Sequence, residues 1–339
     1  MQQRQLGRTG LEVSPLGFGC GNVGGLFVRG SRSEQERAVA RALDLGVRFF
    51  DTAPHYGDSE IHLGRTLKSL KARPSVATKL MPAGEQRSNI AEAVARSIDA
   101  SLARLGVEQI DLMQLHNFVE LENAPSMADY DLTVEQVLND VIPTMEVARK
   151  AGKIRFIGMT GVGATKALKT VVDSGEVDTI QVVYNLLNPS AGRAMLGSFP
   201  DHDYTDLMAS AKQQNMGVIG IRALAGGALS ASPMRAQNAA ETVYVLGSGN
   251  DYGGEVESAR RFAPLWQGGA LSGPVETALR FALFHPSMDT AVIGFSNIEQ
   301  LEQAVAAAEA GPLPEDLMAL CVRLQDAMSR SDSEKLAAG

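Results

Sequence analysis

Cysteine is scarce in this sequence. The two that occur, Cys20 and Cys321, stand far apart and in no CxxC spacing, so neither a disulfide framework nor a zinc ribbon is supported. Histidine is scarce as well, five in all with no HxH pair. A metal-dependent hydrolase built on Asp51, His55 and His116 would therefore lack a third strong ligand, and the sequence points to no metal. No apolar run approaches the roughly 18 to 20 residues that span a bilayer, and the opening "MQQRQLGRTG" is too polar for a signal peptide. Basic residues are not in excess either. The net charge of -8 is spread along the chain, which argues against nucleic acid or an anionic membrane as the main partner. These absences leave a cytoplasmic enzyme acting on a small molecule as the expectation.

What is present is alternation. Eight short β-branched or apolar runs, "PLGFG", "VRFFD", "SVATK", "IDLMQLH", "IRFIGMT", "TIQVVY", "GVIGI" and "DTAVIG", are separated by longer amphipathic segments. Ser33 with Glu36, and Asn89 with Glu92, have capping-box spacing, and Thr133 with Gln136 opens a helix that runs to Gly152. Ile90, Val94, Ile98, Leu102 and Leu105 share one helical face, which Gly106 ends. No GxGxxG follows the first strand. Eight βα units in 339 residues therefore predict one (β/α)8 TIM barrel spanning 1–339 rather than an open doubly wound sheet. Residues 4–13 read as an N-terminal β-hairpin closing the barrel bottom. The segment 225–268 is longer than an ordinary βα loop and reads as an insertion over the active face. "LPEDLMALCVRLQDAM" reads as a C-terminal helix, with the tail "SRSDSEKLAAG" frayed beyond it.

In such barrels chemistry gathers at the C-terminal strand ends. That rule puts Asp51, Tyr56, Lys79 and His116 at one mouth, from strands two, three and four. A phenol, with an ordinary pKa near ~10, surrenders a proton more readily when an ammonium stabilises the phenolate. An aspartate holds that ammonium in place, and a histidine bonds the same substrate oxygen. The set makes an acid aimed at a carbonyl, which suits hydride transfer from a nicotinamide.

These residues sit in motifs, "LGRTGLEVSPLGFGCG", "FDTAPHYGDSEIHLGRTL", "VATKL" and "DLMQLHN", that closely resemble the aldo-keto reductases over nearly the whole chain. The resemblance implies carbonyl reduction, or the reverse, through a tetrad of Asp51, Tyr56, Lys79 and His116, with Tyr56 as general acid and base and Glu60 as an anchor. It also implies cofactor contacts at Gly19, Cys20, Thr160, Gln181, Ile221, Arg222, Leu224, Gly294, Ser296, Asn297 and Gln300. Of these, Thr160 and Gln181 stand where the family holds the nicotinamide amide, Ile221 where it often stacks an aromatic, and Arg222 near the pyrophosphate. Family usage puts NADP(H) ahead of NAD(H), although residues 294–304 carry no cation for a 2'-phosphate. Phe118, Tyr252, Trp266 and Phe27 are expected at the substrate rim. The rival expectation is a nucleotide-sensing, partner-binding protein like the potassium-channel β-subunits that resemble this family. Substrate, reaction direction and oligomeric state are not legible.

Overall fold

The structure is a computed structural model that describes residues 1–122, 128–195 and 199–338, with side chains as far as 329. Its centre is a closed barrel of eight parallel strands. In chain order these are β1 (Leu16–Gly19), β2 (Phe49–Asp51), β3 (Ser75–Leu80), β4 (Ile110–Leu115), β5 (Ile154–Thr160), β6 (Thr179–Val183), β7 (Gly217–Ile221) and β8 (Thr290–Gly294). Seven lie within the corresponding apolar runs, and β3 runs one residue past its own, to Leu80. Sequential neighbours pair, and β8 closes on β1 with Val292 opposite Gly17 and Gly294 opposite Gly19. The all-parallel order follows from the helices that return the chain after each strand.

Helices α1 (Arg32–Asp44), α2 (Ser59–Leu70), α3 (Ile90–Leu105), α4 (Ile142–Lys150), α5 (Thr165–Asp173), α6 (Leu207–Gln213), α7 (Pro274–Leu283) and α8 (Ile298–Glu309) surround it. Each turns an apolar stripe inward, as α3 does with Ile90, Val94, Ile98 and Leu105, and Gly106 ends α3 in the left-handed region. The cap of α1 differs from the expected one. Ser31, not Ser33, accepts from the Glu34 backbone N–H, and Glu34 returns the bond to the Ser31 N–H. Two overlapping Ser-x-x-Glu spacings compete here, and Gln35, donating to the Gly30 carbonyl, secures the extra turn. Thr133 and Gln136 do form a capping box, after which a π-helical stretch, Val137–Val141, leads into α4.

The N-terminal hairpin pairs Arg4 with Val13 and Gln5 with Glu12. Its Leu6, Leu11 and Val13 pack on Phe49, Ala77, Leu112 and Ile219 from four strands and so plug the barrel end opposite the strands' C-termini. A side chain at Gly7, whose φ is +48°, would meet the Gly217 backbone nitrogen at 2.2 Å, so only glycine fits the plug's closest approach.

The segment after β7 crosses the open mouth as a strap. It holds a 3-10 stretch, Ala225–Ser230, and helices Tyr252–Arg260 and Pro264–Gln267. The strap is latched to the opposite wall. The Ala240 N–H donates to the Val23 carbonyl, Arg235 reaches the Gly226, Ala240 and Val23 carbonyls, and Asn238 donates to the Ser296 carbonyl. The C-terminal helix, α9 (Glu315–Ala338), continues through the stretch expected to fray, which contains no proline or glycine before residue 339. Among the described residues no helix is long and apolar enough to cross a membrane. The loop after β4 carries a small two-stranded parallel pairing of Phe118–Glu120 with Asp131–Thr133, and its residues 123–127 lie outside those described.

Candidate active site

"FDTAPHYGDSE" leaves β2 and turns back over the barrel mouth. The Tyr56 N–H donates to the Ala53 carbonyl at 3.1 Å, Gly57 takes a φ of +58° that a bulky residue would resist, and the Ser59 N–H donates to the Tyr56 carbonyl at 3.3 Å. Ser59 Oγ then ties the start of α2 to the Cys20 carbonyl at 2.9 Å. Glu60, the expected anchor, accepts from Thr78 Oγ1 at 2.6 Å and from Arg104 Nε at 2.5 Å. The loop is thus fastened at both ends, and Tyr56 hangs over the mouth.

Asp51 closes β2 and is 4% exposed, and Lys79 on β3 is 1% exposed. The Lys79 ammonium donates to Asp51 Oδ2 and, at 2.9 Å, to the Thr52 carbonyl. The other carboxylate oxygen, Oδ1, accepts from Gln181 Nε2 at 2.8 Å and from Gln114 Nε2 at 3.0 Å. Removing an ion pair from water costs several kcal/mol per ion unless hydrogen bonds saturate it, and three donors on one carboxylate meet that condition. The ammonium therefore stays charged. Burial alone would lower the Lys79 ammonium, yet Asp51 and Tyr56 together raise its pKa above the ordinary value.

Tyr56 stands on the far side of that ammonium. Lys79 Nζ is 5.2 Å from the Tyr56 ring centre, and the His116 ring meets Tyr56 edge-on with centroids 6.1 Å apart. Burial raises the Tyr56 pKa, Lys79 opposes the rise, and the net direction is upward, so the phenol is protonated at ordinary pH. Burial, then Lys79, then His55 push His116 down to about 3, so its imidazole is neutral at any ordinary pH. Its Nδ1 is buried without a partner.

From this corner a cleft of about 540 Å³, in the range of small-molecule sites, runs under the strap to the start of α8. Asp51, Tyr56 and His116 line one end, with Thr160, Gln181 and Ile221 beside them. Gly19, Arg222 and Leu224 line it as well, and Gly294, Ser296 and Gln300 line it where α8 begins. Lys79 lies beneath the lining, held by Asp51. Two expected contacts are not brought together with the rest. Cys20 is buried behind the wall, its thiol pKa raised by burial, and Asn297 is exposed and caps α8 by accepting from the Gln300 N–H at 2.9 Å.

The rim is also corrected in part. Phe118 and Tyr252 line the cleft, but Phe27 is 1% exposed and packs edge-on against Phe18, and Trp266 is partly buried against the core. Gln114 is the residue that sequence reasoning missed. It lies on β4 two positions before His116, which directly follows the strand, so period-two alternation carried the signal. Several buried polar atoms in the cleft lack partners: Thr160 Oγ1, and Arg222 Nε and Nη2, with Glu255 Oε2 3.7 Å from Arg222 Nη2. Unsatisfied donors of this kind suit a polar, anionic ligand, and a nicotinamide nucleotide fits the donor set and the elongated shape.

A family model described as "Aldo/keto reductase family" matches residues 15–326. L-galactose dehydrogenase of Arabidopsis thaliana is 29% identical over 312 residues, covering 91% of this chain and 88% of that protein. D-threo-aldose 1-dehydrogenase of a Pseudomonas species is 33% identical over 218 residues, covering 56% of this chain and 62% of that protein. An aldo-keto reductase from Bacillus halodurans, solved in its holo form, superposes with a TM-score of 0.71 over 96% of both chains at 24% identity, a likeness of fold.

Proposed function

The chain belongs to the aldo/keto reductase family, and on that premise we propose that it interconverts a carbonyl and an alcohol on a small substrate, with Tyr56 as the proton donor in reduction and acceptor in oxidation. It is an NAD(P)-dependent oxidoreductase. The single observation that carries the role of Tyr56 is its place between His116 and a buried ammonium that Asp51 holds. When bound, the nicotinamide supplies or takes up the hydride. Everything else falls to the chain's own side chains. Tyr56 Oη gives its proton to the substrate oxygen, and Lys79 stabilises the phenolate that remains. Neutral His116 orients that oxygen by hydrogen bonding without competing for the proton. Asp51, with Gln114 and Gln181 on its second oxygen, positions Lys79.

Thr160 and Gln181 would hold the nicotinamide amide, Ile221 would pack its ring, and Arg222 would meet the diphosphate. For the substrate we favour sugar aldehydes and lactols, because two similar proteins are named as sugar dehydrogenases. The test is nucleotide oxidation with a reactive aromatic aldehyde, and nucleotide reduction with a panel of aldoses, for the wild type and Tyr56→Phe in parallel. Turnover that disappears in the variant is expected. Firm nucleotide binding with no turnover on any substrate would favour the nucleotide-sensing alternative.

A further inference from the structure

We propose that the far end of the cleft is built for an adenosine ribose bearing a free 2'-hydroxyl, so that NAD(H) is the nucleotide this chain selects. The inference rests on the function proposed above, which sets the nicotinamide at the Tyr56 and His116 end. The α8 end of the cleft, with Gly294, Ser296, Gln300, Gln303 and Ala304 among its lining, then falls to the adenosine.

A 2'-phosphate brings between one and two negative charges and three oxygens that only accept at full ionisation, so it needs cations or unsatisfied N–H groups. The opening of a helix could supply such N–H groups. Here two of the N–H groups at this end are already engaged. Gln300 Oε1 accepts from the Ser296 N–H at 2.8 Å, and Asn297 Oδ1 accepts from the Gln300 N–H. Ser296 Oγ donates to the Gly24 carbonyl at 2.7 Å, so the hydroxyl is turned away from any incoming anion. Each of these bonds would have to break before a phosphate oxygen took the donor.

Nor is a cation among the residues lining this end. The five lining residues of this end are all neutral, and α8 adds Glu299 and Glu302 to its first two turns. The cations that line the cleft have partners of their own, Arg222 beside Glu255 and Arg235 on the Gly226, Ala240 and Val23 carbonyls. Arg29, across from Ser296 through Asn238, donates to Asn238 and Asn22, and Arg41 pairs with Glu302 at 2.7 Å. A ribose diol has different needs. Its hydroxyls both donate and accept, and the Gln300 and Gln303 amides offer both kinds of group. Family usage alone would put NADP(H) first, and the residues of this end argue for the other form.

The test is equilibrium titration of the full-length protein with NADH and with NADPH in one buffer. NADH is expected to bind at least about tenfold more tightly, the cost of stranding a charged acceptor without its donors. Gln300→Arg places a cation at the site and frees the Ser296 N–H, and should move the NADPH-to-NADH affinity ratio at least about tenfold toward NADPH. Gln303→Arg, one helical turn position away, is the second variant, with the same shift expected. Wild-type affinity for NADPH equal to or above that for NADH would overturn the proposal, as would a ratio unmoved in both variants. Binding of neither nucleotide would instead bring down the functional reading itself.

Discussion

The Lys79 ammonium lies 5.2 Å from the centre of the Tyr56 ring while the Asp51 carboxylate holds it from below. One buried cation thus serves two purposes. It neutralises a carboxylate that would be costly to bury alone, and it sits where charge appears when the phenol loses its proton. Stability and turnover are therefore coupled at this position but can be separated experimentally.

Tyr56→Phe removes the proposed proton donor and leaves the cleft wall unchanged in shape. Turnover should fall by at least about a hundredfold, within the usual contribution of general acid–base catalysis. Nucleotide affinity, read by titration, should stay near the wild-type value. A variant that retains wild-type turnover would exclude Tyr56 as the acid.

Asp51→Asn strands the Lys79 charge inside the barrel. Denaturant unfolding should show a loss of about 3 kcal/mol, the usual result of breaking a buried pair from one side. Adding Lys79→Met removes the stranded charge, and most of that stability should return. Turnover should not return, because no ammonium then faces Tyr56. Recovery of both quantities in the double variant would show the pair to be structural only.

His116 gives a pH signature. Its folded-state pKa lies near 3, against an ordinary 6.5, so the unfolded chain binds a proton that the folded chain refuses between those values. Stability should therefore decline as pH falls from 6.5 toward 3, and this group should add nothing above that window. Urea unfolding across the window should show a shallower decline in His116→Asn. In the reduction direction kcat/KM should show no inflection from His116 near neutrality. An inflection there that vanishes in His116→Asn would mean that the imidazole is charged in the working enzyme.

Arg235 latches the strap through the Gly226, Ala240 and Val23 carbonyls, with its guanidinium 5.1 Å from the Tyr252 ring centre. Arg235→Ala should loosen the strap and speed nucleotide release about tenfold, measured by stopped-flow displacement, with a smaller change in the association rate. An unchanged release rate would mean that the strap does not hold the nucleotide in place.

Much of this molecule is written locally. Each barrel strand is a short apolar run bounded by amphipathic helices, and alternation of the two leaves little choice but a parallel sheet. The residues proposed for proton transfer meet at one mouth for a related reason. Asp51 ends one strand, Lys79 lies one residue before the end of the next, and His116 follows the one after, so barrel closure alone brings them to one mouth. Where two local signals overlapped, as with Ser31–Glu34 and Ser33–Glu36, spacing could not choose between them. A side-chain bond from Gln35 back to Gly30 supports the earlier start.

Other features depend on closure itself. Gln181 reaches Asp51 across 130 positions of sequence and Gln114 across 63, and no periodicity links such pairs. The inward turn of Phe27, the strap's latch on Val23 and the Gln300 bond that occupies the Ser296 N–H are also products of packing. By itself the sequence determined the barrel and the residues that face its mouth, because strand period and helix capping act over a few neighbours. Only the tertiary structure decided how Asp51 is saturated and which N–H groups at the α8 end are already bonded, because a buried donor's partner depends on which distant groups the closed barrel brings within reach.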